Sequence, residues 1–246
     1  MKPTTTSNQP KALIFDFGGV ISRTLFETHR ETEKALGLTE HSLQWRGPFD
    51  GKNDDLWQSM QADEITERDY WKTRTQQVSD LTGNNWTKMS DFVKAARGAH
   101  PELVIRPEFM ETIKIAKAHN IRLAILSNEL DLFYGEAFRA KLPFLTDFET
   151  ITDATYTKIL KPDPRAYQIC LDELKLAPSE CVFIDDQLRN IQGSQAHGLI
   201  SVHFNVQNPS YSYAEALAYF GLEFPNTETS QKKTTLKTLK GSAAPC

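Results

Sequence analysis

A doubly wound α/β fold with a block of helices inserted near its start is the architecture this sequence predicts, on three observations. Short, mostly apolar runs at 12–15, 121–126 and 181–184 have the length and composition of buried strands. Between them lie segments with helical spacing, and strands separated by such helices join through right-handed crossovers into a parallel sheet covered on both faces. The interval 25–100 is rich in Glu, Gln, Lys, Trp and Leu and follows helical patterning, as in Glu31 to Leu36 and Asp54 to Met60.

Residues 12–15, Ala-Leu-Ile-Phe, lead straight into Asp16, and Gly18-Gly19 let the backbone turn tightly beside it. Ligands of open α/β sheets bind outside the carboxyl edge, so a strand-end carboxylate there is a candidate nucleophile, metal ligand or both. The plain alternative is a turn or helix-capping aspartate. The helical interval then reads as a cap that excludes water and selects substrate. Its aromatics, Phe26, Trp45, Phe49, Trp57, Tyr70, Trp71 and Trp86, are candidates for substrate contact or for the cap's own core.

Past the cap, a helix over about 107–119 leads to the strand at 121–128, which ends on Ser127 and Asn128, small side chains suited to an anion's oxygens. Lys161 stands just before a proline-marked helix over 164–175, where a fixed cation could neutralise substrate and nucleophile together. The strand from Cys181 closes on Asp185-Asp186, a helix over 188–197 carries Asn190, and a strand follows at 200–204. Asp185-Asp186 and Ser127 could equally be helix caps, Lys161 a surface lysine and Asn190 an exposed polar residue.

Taken in order, the four segments 11–20, 121–128, 158–167 and 181–190 resemble the four motifs of the haloacid dehalogenase superfamily of hydrolases. Lys-Pro-Asp-Pro at 161–164 and Phe-Ile-Asp-Asp at 183–186 carry most of the likeness, which covers roughly 11–206. Within that superfamily it is nearest to the branch of epoxide hydrolase N-terminal domains and sugar-1-phosphate phosphatases. The resemblance implies a Rossmann-like core over 11–24 and 101–222, a cap over 25–100, and tails at 1–10 and 223–246. It implies a phosphatase of a small phosphorylated metabolite, with Asp16 forming an aspartyl-phosphate and Mg2+ held by Asp16, the Gly18 carbonyl and Asp186. Ser127, Asn128 and Lys161 would bind the phosphoryl group, Lys161 would pair with Asp16 or Asp185, and Asn190 would reach the ion through water.

One departure matters. Many phosphatases of the superfamily carry a second aspartate two residues after the nucleophile, as proton donor and then base, and here that position is Gly18. General acid-base catalysis contributes about 10²- to 10⁴-fold, so the gap asks for a good leaving group, a substitute such as Glu129 or His29, or different chemistry. The superfamily's dehalogenases also lack this acid and use no metal, but they lack the acidic pair as well. Asp185-Asp186 beside Asp16 would repel strongly without a cation, which favours the phosphatase. A domain that only binds a phosphometabolite or a protein is the non-enzymatic alternative.

Composition narrows the setting. A net charge of −4 argues against a nucleic-acid backbone as partner. Three cysteines, Cys170, Cys181 and Cys246, suit neither a disulfide framework nor a zinc site and point to a reducing cytoplasm. No apolar stretch reaches the length of a membrane span or a signal core, so a soluble monomer or homodimer is expected.

Overall fold

The computed structural model describes residues 9–97 and 101–225, so positions 1–8 and 226–246 of the expected tails lie outside the described residues. Five strands, β1 (Ala12–Phe15), β2 (Arg122–Ser127), β3 (Thr150–Asp153), β4 (Cys181–Asp185) and β5 (Ile200–His203), form one sheet. Their order is β3-β2-β1-β4-β5, and every pairing is parallel. This is the Rossmann-like α/β core that the sequence predicts.

β1 lies at the centre and is fully buried on both faces, which is why it reads as an unbroken apolar run. Leu13 and Phe15 point to one face, where Phe15 meets Phe109 edge-on at 5.4 Å, under helices Pro107–Ala118 and Pro209–Ala218. Ala12 and Ile14 point to the other, against Tyr167, Leu171 and Ile191 of helices Pro164–Leu174 and Leu188–Ala196. Prolines 107, 164 and 209 each open their helix, where the missing N–H costs nothing.

β3 was not expected. It is a four-residue edge strand, Thr-Ile-Thr-Asp, half-buried at its first two positions, so its sequence lacks the apolar run that marked β1 and β4. Tertiary pairing with β2 makes it a strand where local pattern does not.

The inserted segment folds into helices His29–Ala35, Asp55–Gln61, Glu67–Thr82 and Met89–Arg97. Thr66 and Asp69 cap the longest one reciprocally, and Gly83, at φ 68°, ends it. The two linkers to the sheet run antiparallel: Arg23 N–H donates to the Val104 carbonyl at 2.7 Å and Arg106 N–H to the Ile21 carbonyl at 3.0 Å. Arg106 also forks onto Glu27 at 2.8 and 2.7 Å and donates from Nε to the Gly19 carbonyl at 2.9 Å, tying both linkers to the loop after β1. Phe26, Tyr70, Trp71 and Phe92 share one apolar cluster with Leu13 and Phe15, so the insertion is continuous with the sheet's core.

Candidate active site

From β1 the chain builds β2 and β3 outward on one side, then returns to build β4 and β5 on the other. The carboxyl ends of β1 and β4 therefore flank the switch point, where α/β sheets bind ligands. Asp16 follows β1, Ser127 ends β2, Asp185 ends β4, and Asp186 comes next.

Lys161 reaches this edge from the loop before helix Pro164–Leu174. Its Nζ donates to Asp16 Oδ1 at 2.7 Å and to Asp185 Oδ2 at 2.6 Å, and the residue is only 3% exposed. Asp185 is fully buried and saturated: it also accepts from Gln187 N–H at 2.8 Å and from Asn190 Nδ2 at 3.1 Å on each oxygen. Asp186 differs, since its carboxylate accepts no hydrogen bond from a described residue and lies against Gly19. Gly19 sits at φ 82°, and a Cβ there would fall 2.5 Å from Asp186 Oδ2, so only glycine leaves this carboxylate in place.

Oxygens of Asp16, Asp185 and Asp186 all lie within 4.8 Å of one another. Three carboxylates face one ammonium. Burial, beyond what Lys161 offsets, holds the Asp16 carboxyl up at about 7, with Asp185 adding to the rise. Burial, Asp185 and Asp16 push Asp186 well above the ordinary carboxylate range. Asn190 Oδ1 is a buried acceptor with no hydrogen-bond partner, although its amide nitrogen is engaged on Asp185. Excess buried negative charge, a bare carboxylate and an orphaned oxygen are the donor set of a hard divalent cation, so the residues present fit Mg2+.

Asp16, Gly18, Ser127, Asn128, Lys161, Asp186 and Asn190 line one cleft, with Asp185 beneath them. The other wall comes from the insertion and its linkers: Leu25, Phe26, Trp57, Met60 and Trp71, with Phe133 and Tyr134 from the segment after β2. Of the expected cap aromatics, Phe26, Trp57 and Trp71 reach the cleft. Trp45, Tyr70 and Trp86 pack in the cap interior, and Phe49 is exposed.

Asn128 lines the cleft and also ties down the Lys161 backbone, its Oδ1 accepting from Lys161 N–H at 2.7 Å and one Nδ2 hydrogen donating to the Lys161 carbonyl at 3.1 Å, which leaves the second Nδ2 hydrogen unused. Ser127 keeps a free hydroxyl proton, its Oγ accepting one long 3.4 Å bond from Glu129 N–H. His29 is no proton donor to the cleft: it is buried, its ring centroid 4.4 Å from that of Trp45, and burial pulls its pKa down to about 4. Glu129 does line the cleft, but Arg68 Nε holds its carboxylate. Glu67, Arg23 and Arg97, which also line it, carry no motif signal, because only packing of the cap on the sheet brings them there.

Residues 10–198 match the family model of haloacid dehalogenase-like hydrolases. The chain belongs to that family. Among relatives of this hydrolase, mouse acyl-CoA dehydrogenase family member 10 is 32% identical over 129 residues, 51% of this chain and 12% of that protein. (S)-2-haloacid dehalogenase 1 of Pseudomonas sp. strain CBS-3 is 31% identical over 150 residues, 60% of this chain and 65% of that one. The chain thus spans less than two thirds of these relatives' length. L-2-haloacid dehalogenase from Xanthobacter autotrophicus superposes with a TM-score of 0.53 at 18% identity, covering 89% of this chain and 91% of that one, which shows the shared fold. No helix among the described residues is long and apolar enough to cross a membrane.

Proposed function

We propose that this hydrolase is a Mg2+-dependent phosphatase of a small phosphorylated metabolite, a sugar phosphate or similar ester, working through an aspartyl-phosphate on Asp16. The observation that carries the reading is the set of three carboxylates around one lysine with the unpartnered Asn190 Oδ1 beside them. An enzyme that attacks carbon and expels halide has no use for that excess charge.

In this reading an Asp16 oxygen attacks phosphorus in line, and the ester oxygen leaves. Lys161, locked onto Asp16 and Asp185, orients the nucleophile and offsets the charge that gathers on the phosphoryl oxygens. Ser127 donates its hydroxyl proton to one of those oxygens, and Asn128 fixes the Lys161 backbone. Asp16, Asp186 and the Gly18 carbonyl would hold the ion, which supplies Lewis-acid neutralisation of the substrate dianion. Asp185 and Asn190 stand behind them. The aromatic wall shields the reaction from water.

A metal-independent 2-haloacid dehalogenase is the second reading, favoured by Gly18 in place of an acid and by the curated dehalogenase relative. The two part cleanly in a parallel assay of phosphate release from an activated aryl phosphate and sugar phosphates, and of halide release from 2-chloropropionate, with Mg2+ or chelator. Magnesium-dependent phosphate release that Asp16→Asn abolishes supports the phosphatase. Halide release indifferent to chelator overturns it.

A further inference from the structure

Gly18 leaves the cleft without the acid that an ester with a poor leaving group requires. Apart from Asp16 and Asp186, the carboxyls lining the cleft among the described residues are Glu67 and Glu129. Glu129 is bound by Arg68. Glu67 opens the long cap helix Glu67–Thr82, its side chain is 28% exposed, and its side-chain partner among the described residues is Arg189 Nη2 at 3.4 Å, longer than a good hydrogen bond. Arg189 is itself shared with Asp63 at 3.1 Å and belongs to the helix that carries Asn190. It therefore steers Glu67 from the core side without fully occupying it.

We propose that Glu67 is the proton donor and acceptor that replaces the acid missing at Gly18, delivered from the cap to the leaving-group side of the phosphorus. This rests on the phosphatase reading. Asp16 forms a bond to phosphorus as the ester P–O bond breaks, and the departing oxygen, keeping the electron pair, takes the proton of the Glu67 carboxyl. The Glu67 carboxylate then takes a proton from water as the water oxygen attacks phosphorus. The Asp16–phosphorus bond breaks, its electron pair returns to Asp16, and inorganic phosphate leaves with Glu67 protonated again.

Charge around Glu67 is consistent with this double duty. Burial opposes its ionisation most, Glu129 and Asp185 add to that, and Arg189 and Lys161 favour it. The carboxyl is held up at about 7, where one group both gives and takes a proton near neutrality. A cap-borne acid also makes proton transfer conditional on the cap seating over the sheet.

The test compares first-turnover release of the alcohol from an alkyl phosphate and of nitrophenol from 4-nitrophenyl phosphate, using full-chain wild type, Glu67→Gln, Glu67→Asp and Gly18→Asp/Glu67→Gln. A Cβ at Gly18 meets no atom within 4 Å, so the double variant has room for the relocated acid. Glu67→Gln is expected to slow the alkyl ester about 10²-fold or more while leaving the nitrophenol burst within a few fold, followed by a slow steady state. Glu67→Asp should lie between wild type and Glu67→Gln, and the double variant should recover the alkyl ester at least tenfold. Equal loss on both esters, no loss on the alkyl ester, or a double variant no faster than Glu67→Gln overturns the assignment. Absence of phosphate release by wild type from either ester would instead reject the phosphatase reading, a result no Glu67 variant can mimic.

Discussion

Asn128 and Lys161 hold each other by their backbone-facing groups: the Lys161 N–H donates to Asn128 Oδ1 at 2.7 Å, and Asn128 Nδ2 donates to the Lys161 carbonyl at 3.1 Å. The end of β2 thereby fixes where the ammonium of a distant loop meets Asp16. Asn128→Ala removes both bonds and frees the loop. We expect turnover to fall about 10- to 100-fold, equivalent to about 1–3 kcal/mol, with little change in substrate KM; kcat and KM on one substrate check it. Unchanged kcat would mean that the pair does not position Lys161.

Removing the lysine has a different consequence. Lys161→Met leaves two buried carboxylates facing each other without a cation, and loss of one partner of a buried ion pair costs about 3–5 kcal/mol. Urea unfolding without Mg2+ should show that loss. Adding Mg2+ should restore part of it, since the ion can bind the excess charge.

Gly18 and Gly19 are adjacent yet unequal. An alanine Cβ at Gly19 collides with the Asp186 carboxylate at 2.5 Å and sits at φ 82°, whereas one at Gly18 meets open space. Mg2+ is expected to raise the melting temperature of wild type and of Gly18→Ala but not of Gly19→Ala, and calorimetric titration of the ion should show the same contrast. Equal binding by both variants would separate Asp186 from the cation site.

His29 gives a pH signature independent of any cation. Burial lowers its pKa from 6.5 to about 4, so the unfolded chain binds more protons than the folded one between those values. Stability therefore falls as pH drops from about 6.5 to about 4, by on the order of 3 kcal/mol from this residue. His29→Phe keeps an aromatic ring beside Trp45 and abolishes the titration, so its unfolding free energy should decline less over that range. Parallel slopes for the two proteins would contradict this.

Much of the site was legible before any coordinates, because its parts sit at the ends of strands that are buried on both faces. Ala12–Phe15 and Cys181–Asp185 announce themselves as apolar runs, and Asp16, Asp185 and Asp186 follow at their ends. β3 stayed hidden, since an edge strand of Thr-Ile-Thr-Asp needs no such run. The hold of Asn128 on the Lys161 backbone stayed hidden for a related reason: an amide suits a phosphoryl oxygen and a peptide group alike, and only the approach of Lys161 in the fold shows that it grips a peptide. Glu67 was invisible because a helix-start glutamate is common, and its meaning comes from a cleft wall that folding creates.

The most direct measurement is a single turnover in oxygen-18 water, followed by mass spectrometry of the released phosphate and of the peptide containing Asp16. Attack of Asp16 on phosphorus, then of water on phosphorus, predicts the heavy oxygen in phosphate and none in Asp16. Heavy oxygen in the Asp16 carboxylate, with halide released from 2-chloropropionate, would mean that Asp16 had formed an ester to carbon and would contradict the phosphatase account.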